Sequence, residues 1–492
     1  MRLALMLKPK VTELNSSAAP ALAPAKPRII PRSDHNISRS AISPNALRVL
    51  YRLRDGGFQA FLVGGCVRDL LLERAPKDFD VATDALPEQV KALFRNCRLV
   101  GRRFRLAHVF FGQETIEVAT FRAATAPALG DDPIPDVDPE EGEGPEIDEP
   151  LDPVLIGCSE GDARAVDETG RILRDNVYGS IDADVWRRDF TANALYYNIA
   201  DFSVWDYVGG VDDINARTLR LIGDPETRYR EDPVRMLRAA RFEAKLGLHL
   251  DPATAAPIAP LRDLLAGVPS ARLFDETLKL LLSGHGARSV EVLRARRLLE
   301  VLLPSVDAYL AARPGSVVEK LLMQGLRNTD ERVLADKSVA PTFLFALLLY
   351  GPIAQHIEAA PPERWHELAT ILDACDRALR EAQAHVAIPR RFALGVREMI
   401  ALQPRLEHPR GRRSLRTLEH PRFRAAFDLL LLRAQFGLAP REIADWWRRI
   451  QEVAPPERAV MADALGGPGG RREGGGRRGP RRRRRRRPAS PA

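Results

Sequence analysis

Cysteine is scarce in this 492-residue chain, and its four copies (Cys66, Cys97, Cys158, Cys375) are scattered with no C-x-x-C among them. That distribution excludes a disulfide framework and a thiolate zinc site, and it suits reduced thiols in a cytoplasmic protein. The nine histidines form neither H-E-x-x-H nor H-x-H, so a metal here would be held by carboxylates. No apolar run approaches the ~18–20 residues of a membrane span. The opening MRLALMLKPKVTEL has a short apolar patch but no small-residue cleavage pattern, which argues against a signal peptide. No fixed-period repeat occurs. Two glycines at 64 and 65 invite comparison with phosphate-binding loops, but no P-loop lysine follows them, and the run makes no G-x-G-x-x-G.

What is abundant is charge, and it is segregated. Residues 466–492 carry eleven arginines and one glutamate, while 130–150 (GDDPIPDVDPEEGEGPEIDEP) hold ten acidic residues and no basic one. The two segments cancel, so the remainder carries the whole net charge of +8. A basic fold with two solvated appendages of opposite sign is the simplest reading.

Residues 1–35, rich in Ala, Pro and Ser, read as a disordered leader. SPNALRVLYRLRDGG predicts a helix with Ser43 as N-cap and Gly56 and Gly57 closing it. FQAFLV reads as a buried strand, FDVAT as a second strand and PEQVKALF as a helix opened by Pro87. AHVFF and ETIEVATF, joined by Gly112 and Gln113, predict an antiparallel hairpin. From Asp182 onward the apolar spacing predicts helices, including DADVWRRDFTANALYYN and EDPVRMLRAARFEAKLG, the latter closed by Gly247. The fold class expected is α+β: a small α/β head with a mixed sheet, then an all-helical neck and body.

Chemistry concentrates in LVGGCVRDLLLERAPKDFDVAT (62–83). In a strand, residues two apart share a face, so Asp78 and Asp80 point together while Phe79 and Val81 face the core. Paired carboxylates repel unless a cation lies between them, and hard oxygen ligands suit Mg²⁺, with Mn²⁺ the alternative. Glu117 in the hairpin is the candidate third carboxylate. Gly64 and Gly65 follow a strand and precede a helix, where backbone N–H groups can reach phosphate oxygens with no Cβ in the way; Arg68 or Asp69 can brace that turn. Taken singly, the aspartates read more readily as a solvated strand edge and the glycines as a tight strand-to-helix turn; it is the combination that is specific.

Together, G-G-x-V-R-D and D-F-D resemble the class II nucleotidyltransferases, the superfamily of bacterial poly(A) polymerases and CCA-adding tRNA nucleotidyltransferases. RRDFTANAL (187–195), WDYVGGVDDI (205–214), RYREDPVRMLRAARF (228–242), SARLFDETLKLL, AIPRRF and LEHPRFRAAFDLLLLRA follow in the same order, so the resemblance covers roughly residues 30–487. LVGRRFRLAHV and the long arginine-rich end are similar to the poly(A) polymerase branch. The resemblance implies an enzyme that adds AMP from ATP to RNA 3′ ends without a template, using divalent metal on Asp78 and Asp80, in the service of RNA decay. CCA addition to tRNA and a catalytically silent RNA-binding scaffold are the alternatives.

The resemblance also distributes roles. Gly64, Gly65, Arg68, Arg187, Arg188, Asp189 and Asn193 contact the sugar and triphosphate, the last two sharing a helical face at i, i+4. Asp232 and Arg235, at i, i+3, read the adenine edge, and Glu231 serves as a helix-start acid. Arg238 and Arg241 hold nucleotide or RNA backbone, or form ion pairs. Trp446 and Trp447 read as core rather than as a stacking platform. Arg481, Arg482, Arg483, Arg484, Arg485, Arg486 and Arg487 attract RNA by counterion release; a docking tail for a partner and an anionic-membrane handle are the rival readings. Cys66 stands where many relatives carry a third small residue. The implied division is a leader (1–35), a catalytic head (36–210) with a flexible acidic insert at about 124–168, a neck for base recognition and RNA binding (211–265), an RNA-binding body (266–465) and a tail (466–492). A cytoplasmic monomer that meets RNA-decay proteins is the expected setting.

Overall fold

The computed structural model of the chain describes residues 26–101, 105–123, 164–166, 172–175 and 178–465. They form two compact units that divide between Leu302 and Leu303. In the first unit, β1 (Arg28–Ile30), β2 (Ala60–Val63), β3 (Asp80–Thr83), β4 (Cys97–Val100), β5 (Leu106–Phe111) and β6 (Glu114–Thr120) belong to one sheet. β7 (Arg164–Val166) and β8 (Ile172–Asp175) make a separate ribbon, and β9 (Leu195–Asn198) and β10 (Val204–Asp206) return to the main sheet. Its order is β1-β10-β9-β2-β3-β6-β5-β4, with β3 and β6 parallel and the other pairs antiparallel.

Local chemistry explains most of these elements. Ser43 caps α1 (Pro44–Asp55) by accepting from the Asn45 and Ala46 N–H groups, and Gly56 ends it. β2 lies between two strands and is buried along its whole length, as its unbroken apolar run requires. It is followed by α2 (Gly65–Leu71), and Pro87 opens α3 (Pro87–Leu93). Gly112, with φ of +66°, makes the turn of the β5–β6 hairpin. One face of the sheet packs with α1, α2 and α3 around Leu62, Val81 and Val118; the other packs Phe61, Val63, Ala82 and Tyr196 against Ile181 and Val185 of α4 (Ile181–Arg187).

Three expectations need correction. Arg28–Ile30, inside the stretch read as a leader, pair as edge strand β1 with β10. DADVWRRDFTANALYYN is not one helix: α4 stops at Arg187, a short 3₁₀ turn spans Thr191–Asn193, and LYYN is β9. Tyr196 and Tyr197 there turn to opposite faces of the sheet, so the period is two and not 3.6. EDPVRMLRAARF is broken as well. After α5 (Gly210–Asn215), α6 (Pro225–Glu231) ends before Asp232, and Pro233 caps α7 (Val234–Leu246), which Gly247 closes in the left-handed region. Glu231 is therefore the last residue of one helix, not the opening acid of the next.

A short parallel bridge of β11 (Thr218–Leu219) and β12 (His249–Leu250), then α8 (Pro252–Ala255), α9 (Ile258–Leu261), α10 (Ser270–Leu281), α11 (Gly286–Ala295) and α12 (Leu299–Leu302), complete the first unit. The described regular elements of the second unit are all helical. Trp447 is fully buried there, its indole N–H donating to the Leu406 carbonyl at 2.8 Å, and Trp446 packs edge-on against it. The core reading of both is correct. Among the described residues, no helix is long and apolar enough to cross a membrane.

Candidate active site

Strand register brings the opening motif together. Val63 pairs with Asp80, so Gly64 leaves β2 at the end of the sheet where β3 begins. β6 runs parallel to β3 with Val81 opposite Val118, which sets Glu117 beside Asp80. Asp78 lies two residues before β3, outside the strand on which it was expected to share a face with Asp80, and Phe79 packs toward the core. The three carboxylates feel one another. Burial, then Glu117 and Asp78, push Asp80 up to about 6 against a small opposing pull from Arg188. Burial and Asp78 likewise raise Glu117.

Gly64 adopts φ +71° and ψ −131°, a conformation essentially reserved for glycine. A Cβ on it would sit 3.4 Å from Arg188 Nη1, so that guanidinium lies directly over the turn. The Cys66 thiol donates to the Val63 carbonyl, and burial followed by the Asp80 charge pushes it up to about 12, which leaves it unreactive.

The RRDFTAN segment wraps the other side of the turn. Arg188 is held by Asp184 at 3.1 Å and by the Tyr196 hydroxyl at 2.8 Å, and Arg187 reaches the same Asp184 at 4.0 Å. Asp189 and Asn193 meet as expected, at 3.1 Å, but across a turn rather than along a helix. A continuous polar chain then crosses the unit: Asp69 to Arg68, Arg68 Nη1 to Asn193 Oδ1 at 2.6 Å, Asn193 to Asp189, and Asp189 to Arg238 at 2.6 Å. Burial opposes ionisation of Asp189, yet Arg238, Asn193 and the Phe190 N–H outweigh it and hold the carboxylate down at about 2. Arg68, only 4% exposed, braces this chain instead of facing outward.

Arg241 lies one turn beyond Arg238 on α7. Burial and the Arg238 charge lower its pKa, and its Nε has no hydrogen-bond partner among the described residues. A desolvated guanidinium of this kind invites an anion.

Asp232 sits in the break between α6 and α7 and Arg235 in the first turn of α7, so they do not share one helical face, and each already has partners. Arg272 clamps the Asp232 carboxylate with two hydrogen bonds of 3.0 and 2.9 Å. Arg235 Nη1 donates to the Arg228 carbonyl and to Glu231. Arg228 in turn donates to the Arg187 and Arg188 carbonyls, tying the two segments together.

Several supporting residues escape sequence reasoning. His108 faces Glu117 across the hairpin, 3.7 Å away, and burial lowers its pKa; counting outward from the Gly112–Gln113 turn finds this pair. WDYVGGVDDI proves to be scaffolding. Asp206 accepts from the Val208, Gly210 and Val211 N–H groups, and Asp213 accepts from Thr191. A Cβ on Gly210 would collide with the Thr191 carbonyl. The Arg102–Arg103 pair, the acidic stretch and Arg481–Arg487 lie outside the described residues. Among the described residues no three His, Cys, Asp or Glu side chains are gathered into one metal cage. Even so, Asp78, Asp80 and Glu117 offer hard oxygens whose mutual repulsion a divalent cation would relieve, so the donor set fits one.

The mixed sheet thus brings the Gly-Gly turn to the strand ends that carry Asp80 and Glu117, with Asp78 just before β3. Residues 60–220 match the model of the poly A polymerase head domain, 247–310 that of the "probable RNA and SrmB-binding site of polymerase A", and 363–489 that of the polymerase A arginine-rich C-terminus. Poly(A) polymerase I of Salmonella typhimurium is 47% identical over 455 residues, covering 92% of this chain and 91% of that one. The CCA-adding enzyme of Bacillus subtilis is 35% identical over 257 residues, 52% of this chain and 55% of that one. The fold is also that of the Thermotoga maritima CCA-adding enzyme solved with tRNA, with a TM-score of 0.52 at 17% identity over 88% and 89% of the two chains. The chain belongs to the bacterial poly(A) polymerase family.

Proposed function

We propose that the protein is a polynucleotide adenylyltransferase that transfers AMP from ATP to RNA 3′ ends and releases pyrophosphate, without a template. The observation that supports it most is the strand register that sets Gly64, Asp80 and Glu117 at one end of three neighbouring strands. The near full-length match to poly(A) polymerase I, against half-length matches to CCA-adding enzymes, favours tailing over CCA addition.

In this reading the 3′ hydroxyl attacks the α-phosphorus in line, and the bond to pyrophosphate breaks as the new bond forms. Asp78 and Asp80, with Glu117 beside them, would hold a divalent Mg²⁺ or Mn²⁺ that would activate the hydroxyl and offset charge on the departing pyrophosphate. Gly64 and Gly65 let the backbone approach the phosphates, while Arg187, Arg188, Arg238 and Arg241 present positive charge to them. Asp189 and Asn193 hydrogen-bond the ribose hydroxyls. Asp232 accepts from the adenine amino group as Arg235 donates to the ring nitrogen. The Arg481–Arg487 run holds RNA by charge, and tailed RNA passes to decay proteins. Asp80→Ala should abolish incorporation of labelled AMP into an RNA oligonucleotide; tailing at the wild-type rate would sink the carboxylate assignment.

A further inference from the structure

The C-terminal half of α7 gathers positive charge that its surroundings do not neutralise. Arg241 and Lys245, four residues apart, share one face of the helix, where like charges oppose each other. Lys245 is half-buried, and its ammonium makes no ion pair among the described residues. Burial lowers its pKa, and so do the charges of Arg68, Arg241 and Lys77; Asp69 opposes them. That carboxylate is already committed, since its Oδ1 accepts from Arg68 Nε at 2.9 Å and lies 2.8 Å from Arg68 Nη2. A lysine in the last turn of a helix ordinarily complements the dipole. Here that place is taken, because Arg74 donates to the Lys245 and Leu246 carbonyls, at 3.0 Å each. The same two bonds fasten to this helix end the segment that runs through Lys77 to Asp78, both of which are exposed.

We propose that Lys245 and Lys77, beside Arg241, form a subsite for a backbone phosphate of the acceptor RNA close to its 3′ end. This rests on the adenylyltransferase reading, with Asp78 among the carboxylates at the reacting hydroxyl. Position decides between RNA and ATP. The nucleotide's phosphates are assigned to the Gly64 turn, beneath the Arg188 guanidinium. Lys245 instead neighbours Asp69, a full helical turn along α2 from Gly65. A strand whose 3′ hydroxyl reaches Asp78 from solvent brings its last phosphodiesters past the exposed Lys77, the residue next to that carboxylate. An ammonium is a point charge that holds a phosphate without reading a base. Such a grip serves each newly added nucleotide as well as the one before it, which is what repeated addition to a growing end requires.

The test uses the full chain and its K245Q, K245R and K77Q variants, with steady-state constants for ATP and for a short oligoadenylate acceptor. K245Q should raise KM for the acceptor about tenfold, the loss expected of one charge-assisted contact, with KM for ATP and kcat close to wild type. The slope of log KM for the acceptor against log salt should be shallower in K245Q by about 0.7. K245R keeps the charge and should restore both. K77Q should split the constants in the same way, and it supplies the comparison should K245Q fail to fold by circular dichroism. An acceptor with a neutral methylphosphonate at one of its last linkages should lose the same factor on wild type and nothing more on K245Q. A raised KM for ATP with an unchanged acceptor KM would overturn the proposal and give the site to the nucleotide. Unchanged constants, or a fall in kcat alone, would overturn it and leave Lys245 a helix-end cation. Wild-type protein that binds the acceptor but adds no AMP to it would instead overturn the adenylyltransferase reading itself.

Discussion

Replacing Asp80 by asparagine should silence the enzyme and, at neutral pH without divalent cation, make its first unit more stable. Burial together with Glu117 and Asp78 raises Asp80 from its ordinary 3.8 to about 6. Below about 4 the carboxyl is protonated in both folded and unfolded chain and contributes nothing. As pH rises further the unfolded chain releases its proton first, so stability falls until the folded carboxyl also ionises near 6. Above that the full penalty applies, at ~1.4 kcal/mol per tenfold change in proton affinity, or about 3 kcal/mol as an upper bound. Asparagine has no such term. Urea unfolding in chelator, followed by tryptophan fluorescence from pH 4.5 to 8, should therefore show Asp80→Asn gaining on wild type by up to about 3 kcal/mol. Trp186 and Trp205, packed on the Phe61–Tyr196 cluster, report on this unit. Added Mg²⁺ should stabilise wild type and not the variant. A difference that stays flat with pH, or a variant less stable at pH 8, would refute the reasoning.

Gly64→Ala should destabilise by about 1–3 kcal/mol, since alanine must adopt a glycine-only conformation, and it should lower kcat/KM for ATP through the crowded Arg188 guanidinium; urea unfolding and steady-state kinetics measure both, and a variant as stable as wild type would count against the turn geometry. Arg238→Met should lose up to about 3 kcal/mol by leaving the buried Asp189 carboxylate unpaired, and Asp189→Asn in the same chain should restore much of it, whereas strictly additive losses in the double variant would deny the coupling.

How much of this was legible beforehand depended on the range of the interaction. Ser43, Pro44 and Gly56 bound α1 through contacts a few residues long, and the Gly112–Gln113 turn sets the register of its own hairpin. Asp78 and Asp80 are two residues apart, so the effect of one charge on the other needed no distant contact, although β3 begins at Asp80 and the strand period does not reach Asp78. The misreadings came where tertiary pairing overrode local spacing. LYYN is a strand because it completes the sheet between β2 and β10. Asp232 falls in a helix break because Pro233 cannot donate back to α6, a signal the sequence does carry. Partners distant in the chain were not legible at all. Arg68 finds Asn193 across 125 residues and Asp232 finds Arg272 across 40; no periodicity encodes either.

The most direct test of the account supplies each nucleoside triphosphate separately, with Mg²⁺, to an unstructured RNA oligonucleotide and to a tRNA lacking its 3′ terminus. The account predicts long tails from ATP alone on the unstructured RNA and little incorporation from CTP, GTP or UTP. Ordered addition of C, C and A to the tRNA, with no tailing of the oligonucleotide, would contradict it.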